Sequence, residues 1–127
     1  MTPMPSSLLT PPDLALAHLH FHLRMTQQGN LPETVGAALR GGMALLLKRQ
    51  VCLYPQHQRC VGCPLLHNCV YPAIFEPAPP PEREVLSTHE SVPLPIVLQP
   101  PVETVTSCRP GDVFTFGVVL VGRATRH

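Results

Sequence analysis

The sequence predicts an α+β fold that carries a four-cysteine metal module. Residues 14–25 alternate like a strand, residues 33–49 carry a helical apolar stripe, and four of the five cysteines crowd between Cys52 and Cys69. A strongly apolar second strand follows at 112–121. At 127 residues there is room for one modest domain, or one and a fragment. With 44% hydrophobic and 13% charged residues the chain can build a core, which excludes disorder throughout.

The opening MTPMPSSLLTPP lacks the basic region and apolar run of a secretory signal. No apolar run approaches the roughly 20 residues that span a bilayer. The expectation is a cytoplasmic protein with no membrane contact. In reducing surroundings clustered cysteines bind metal more often than they form disulfides. Secretion would instead favour two disulfides and one free thiol.

The net charge of +1 hides an asymmetry. Residues 24–69 hold Arg24, Arg40, Lys48, Arg49 and Arg59 against Glu33 alone, a local charge of +4. Residues 70–112 hold Arg83 and Arg109 against Glu76, Glu82, Glu84, Glu90, Glu103 and Asp112, a local charge of −4. The basic half suits a polyanionic partner. It equally suits a solvated face.

In residues 14–25, Ala15, Ala17, Leu19, Phe21, Leu23 and Met25 share one face of a strand, and Leu14, Leu16, His18, His20, His22 and Arg24 share the other. The three histidines read either as an acid/base or cationic stripe facing a ligand, or as a His-rich solvent surface. Same-face residues roughly 7 Å apart along a strand chelate a metal poorly. Gln27–Leu31 is a polar turn, and Pro32–Gln50 a helix. In that helix Glu33 sits in the first turn and Lys48 and Arg49 at the C-terminal dipole, with Val35, Leu39, Met43 and Leu46 facing the sheet. Gly36, Gly41 and Gly42 each cost about 1 kcal/mol there relative to Ala, which points to close packing or backbone approach to a ligand. Arg40-Gly41-Gly42 could contact phosphate.

The cysteine module, 51–72, follows directly, with the spacing C-x7-C-x2-C-x5-C. Cys52, Cys60, Cys63 and Cys69 suit either a structural zinc or a 4Fe–4S cluster, since both take four thiolates. His57 or His67 could replace one of them. Beyond it, 73–111 is a proline-rich connection containing nine of the 17 prolines from Pro72 to Pro101, with a short edge strand at Ile96–Leu98. Pro79–Pro81 has the look of a ligand for proline-binding modules, beside the plainer reading as a linker. The Pro110-Gly111 turn then leads into DVFTFGVVLV. So apolar a strand wants neighbours on both sides, and few partners are in view. The expectation is that 112–127 begins a second, truncated domain.

The cysteine loop resembles the iron–sulfur loop of DNA glycosylases of the endonuclease-III type, C-x6-C-x2-C-x5-C, with Arg59 before Cys60 and Pro64-Leu65 after Cys63. No helix–hairpin–helix or catalytic Lys/Asp segment precedes it, so the likeness is one of chemistry and not of family. Over residues 14–124 the chain resembles the CRISPR precursor-RNA processing endoribonucleases of the RAMP superfamily, in their cysteine-containing branch. The residues that carry this are Leu39-Arg40-Gly41, the four cysteines, Tyr71-Pro72-Ala73-Ile74-Phe75-Glu76, Leu94–Pro101, and Pro110-Gly111-Asp112 with the strand to Gly122. The resemblance implies paired ferredoxin-like, RRM-related domains that bind CRISPR repeat RNA and cut it without a catalytic metal, using the RNA 2′-hydroxyl as nucleophile.

The metal module would then be structural. The family's glycine-rich RNA-contacting segment is absent, and no histidine lies between His22 and His57, although a catalytic histidine on the first helix is common in the family. The catalytic candidates are His20 first, then His18 and His22; the RNA-binding candidates are Arg40, Lys48, Arg49 and Arg59. Expected partners are CRISPR repeat RNA, other CRISPR-associated proteins, or a missing C-terminal half. Competing readings are a non-catalytic guide-RNA-binding RAMP subunit and a metal-stabilised interaction domain unrelated to RNA.

Overall fold

The structure, a computed structural model, describes residues 13–78 and 93–127. The Pro79–Pro81 run, and with it the expected proline-module ligand, lies outside the described residues. Strand β1 (Leu16–Arg24) follows the period of two in the sequence, and the polar turn after it contains a two-residue strand, β2 (Gly29–Asn30). Helix α1 (Val35–Val51) and a short helix α2 (Val70–Phe75) bracket the cysteine loop. Strands β3 (Ile96–Gln99), β4 (Ser107–Cys108) and β5 (Val113–Val121) follow, then a 3-10 turn at Gly122–Arg126. The fold is α+β with antiparallel sheets.

The main sheet has the order β1-β5-β3, antiparallel throughout, and β2 pairs with β4 in a separate ribbon. This corrects the expected domain division. Residues 112–127 were expected to open a second domain with a strand short of partners. Instead β5 is the middle strand of the sheet, with Phe116 opposite Phe21 on β1 and Val118 opposite Leu98 on β3. Pairing on both sides satisfies the backbone of so apolar a strand. At one end of β1, Met25 N–H donates to Asp112 O and Gly111 N–H to Met25 O, both at 2.8 Å; at the other, Gly122 N–H donates to Ala15 O at 2.8 Å.

The core lies on one face of the sheet. Phe114, Phe116 and Val118 are buried, and Val35, Leu39 and Met43 of α1 pack on them together with Phe21, Leu31, Ile96, Leu98 and Leu120. Cys108, the cysteine outside the module, is 2% exposed and serves as a small apolar core residue. Three of the four expected stripe residues on α1 are thus confirmed. The fourth, Leu46, is 58% exposed, because the last turns of α1 are joined to the cysteine loop and to α2 rather than to the sheet. Glu33 precedes the helix, which begins after Thr34. Of the helix glycines only Gly36 packs closely, its Cβ position 3.7 Å from Pro100; Gly41 and Gly42 face open space.

Among the described residues α1 covers one face only, and the other is open. Side chains alternate along each strand, so His18, His20, His22 and Arg24 of β1, Thr115, Gly117 and Val119 of β5, and Val97 and Gln99 of β3 share it. The three histidines, Arg24, Thr115, Val97 and Gln99 are all exposed.

Candidate functional site

The open sheet face brings the predicted histidines together. Each is exposed, and the rings of His18 and His20 lie 4.2 Å apart, centroid to centroid. The strand repeat alone sets them roughly 7 Å apart, so the side chains lean toward each other. His22 Nδ1 lies 3.1 Å from Thr115 Oγ1 in a cross-strand hydrogen bond that orients the ring. In the register of the sheet His20 stands directly opposite Gly117, and Gly117 directly opposite Gln99. One row across three strands therefore reads imidazole, bare backbone, carboxamide.

The cysteine module is built differently. Cys52 caps the C-terminus of α1, its N–H donating to Lys48 O at 2.9 Å, and Cys69 caps the start of α2 while donating to Leu65 O at 2.9 Å. Between them, Cys63 N–H donates to Cys60 O at 3.0 Å, closing a turn in which Gly62 takes φ +86°, a left-handed conformation that suits glycine. All four thiols are free and half-buried. Among the described residues no three His, Cys, Asp or Glu side chains are placed to hold one metal ion. The donor set is right for zinc or a cluster, yet as arranged the four sulfurs do not form the site that the spacing suggests.

Cys60 faces Glu76 instead. Its N–H donates to Glu76 Oε1 at 3.3 Å, and its thiol donates to Oε2 at 3.6 Å. Burial first, and then the Glu76 carboxylate, push the Cys60 thiol up from its ordinary 9.0 to about 11. The same causes in the same order raise the Tyr71 phenol. Lys48 closes the network: its Nζ lies 3.9 Å from Glu76 Oε2, donates to Gln58 O at 3.2 Å, and sits 5.2 Å from the centre of the Tyr71 ring.

The predicted RNA-binding cations do not join the histidines. Arg40, Lys48 and Arg49 ride on α1, on the covered side of the sheet, and Lys48 is engaged within the chain. Arg59 is exposed in the cysteine loop. Arg24, at the end of β1, is the arginine that shares the histidine face. Sequence reasoning passed over Arg24, Gln99 and Gly117 as site residues. The glycine within VFTFGVVLV was the available signal, since a glycine inside a strand often marks close approach of a ligand or a second backbone.

No curated protein and no solved structure shows a significant match to the sequence. Residues 13–127 match the AF_1859_N family, described as an N-terminal domain, and the chain belongs to that family.

Proposed function

We propose that this chain is an RNA-binding domain of a CRISPR repeat-RNA processing endoribonuclease. The open face of the β1-β5-β3 sheet, with its exposed histidine stripe, is the observation that carries the reading. Sheets covered by helix on one side and open on the other bind single-stranded RNA by stacking bases on exposed rings. The topology agrees. A strand, a helix and two later strands in the antiparallel order β1-β5-β3 support the reading, since the first βαββ portion of a ferredoxin-like domain would have this order. Arg24 offers a phosphate contact at one end of the stripe, and exposed Arg40, Arg49 and Arg59 can meet flanking phosphates beyond the sheet.

Cleavage, as the resemblance implies it, needs a base to take the proton of a 2′-hydroxyl and an acid to protonate the leaving 5′-oxygen. His18 and His20, with adjoining rings, are the pair able to divide those roles, with His22 held ready by Thr115. The cysteine module then acts as a structural metal centre, Cys52, Cys60, Cys63 and Cys69 taking zinc or a 4Fe–4S cluster once Cys60 leaves Glu76. No step of the cleavage is assigned to it.

The test is a gel-shift and cleavage assay of the chain with a CRISPR repeat hairpin RNA at several salt concentrations. Salt-dependent binding, with cleavage products lost in the His18→Ala/His20→Ala/His22→Ala variant, supports the reading. Binding without products in the wild type favours a non-catalytic guide-RNA subunit. Absence of binding at moderate salt removes RNA from the account.

A further inference from the structure

Gly117 is costly where it stands. A glycine in the central strand of a sheet forfeits side-chain packing and conformational entropy. Here it forms a floor that lies buried beneath two side chains. A Cβ at this position would come within 2.7 Å of Gln99 Oε1 and 3.1 Å of His18 Nε2, the far ends of two movable side chains. On either side of the floor, Gln99 and His20 rise from strands roughly 10 Å apart, twice the interstrand spacing. That width fits one heterocycle. The loop after β3 walls the groove with Pro100, Pro101, Glu103 and Val105, leaving a volume of about 570 Å³ open to solvent. This lies within the size range of small-ligand sites.

We propose that this groove is a reading site for one unpaired adenine of the bound RNA. The inference rests on the RNA reading above and adds a base preference to it. With the Gln99 and His18 side chains swung off Gly117, the base lies flat over that backbone beside the His20 ring. The Gln99 carboxamide turns to its edge, accepting from the exocyclic N6 amine and donating to N7, the paired contact by which glutamine selects adenine. Glu103 at the rim adds an acceptor for an exocyclic amine and repels phosphate. The sugar–phosphate chain is thereby directed to the opposite side, along His22 toward Arg24. Uracil lacks the exocyclic amine and presents carbonyl oxygens to both Gln99 and Glu103.

Fluorescence anisotropy with 5′-labelled single-stranded oligoadenylate and oligouridylate, at one fixed salt concentration, tests the proposal. The wild type should bind oligoadenylate about tenfold tighter, the scale of one good paired contact. Gln99→Leu, an exposed and near-isosteric change, should bring the two affinities within about twofold, chiefly by weakening oligoadenylate. Gly117→Val fills the floor and should weaken both oligomers; circular dichroism checks that it remains folded. An undiminished adenine preference in Gln99→Leu overturns the groove assignment and leaves RNA binding standing. Failure of the wild type to bind either oligomer overturns both readings.

Discussion

Phe21 and Phe116 stack across β1 and β5 with ring centres 5.0 Å apart and planes 9° from parallel. The two residues face each other in the strand register, and their contact joins the beginning of the domain to its end. Phe116 is 5% exposed, whereas Phe21, on the edge strand, is half-buried. Phe116→Ala should therefore cost about 3–5 kcal/mol in urea unfolding, and Phe21→Ala clearly less. Equal costs would mean that β1 is sealed by something other than its pairing with β5.

The Lys48–Glu76–Cys60 network sets an order of thiol reactivity. In metal-free protein at pH 8, iodoacetamide should modify Cys60 last among the module's four cysteines, because the thiolate is the nucleophile. Glu76→Gln should speed that modification only in part, since burial, the larger cause of the raised value, remains. Mass spectrometry of digests reads both results. The stability sign follows. Below pH 9.0 the thiol is neutral folded or unfolded; as pH rises from 9.0 through about 11 the unfolded chain ionises first, and this contribution to stability is lost.

Metal loading should restructure the same loop. Purified without oxygen, the chain should carry about one zinc, or one cluster with brown absorption, per molecule. Cys60→Ser/Cys63→Ser should abolish it. Chelation should then lower the melting temperature of the wild type, because binding energy at a four-thiolate site is folding energy. A metal-free wild type whose melting temperature is the same with and without chelator would end the metal proposal.

The arginines should separate by position. Arg24→Ala, on the histidine face, should weaken RNA binding for every sequence and reduce the salt slope by about one phosphate contact. Arg40→Ala, on the covered side, should weaken long repeat RNA more than a short oligomer that spans only the sheet. Anisotropy titrations over a salt series distinguish the two.

The local elements were legible because their signals are local. Alternation between Leu16 and Arg24, the Val35-Leu39-Met43 stripe, and the aromatic and β-branched run from Val113 to Val121 each depend on side chains a few residues apart. The cysteine spacing was equally plain as chemistry. It could not say that Cys60 turns to Glu76, which lies just past the end of α2 and reaches the thiol only through the folded loop.

Pairing was decided by the tertiary structure alone. His20 and Gly117 are distant in sequence, and the stretches that hold them contain no mark of partnership; register across β1, β5 and β3 made them neighbours of Gln99. The same pairing moved the last strand from an expected second domain into the centre of the first. Periodicity tells a strand which two faces it has. Only the packing of α1 on Phe114, Phe116 and Val118 determined that the histidine face is the one left open.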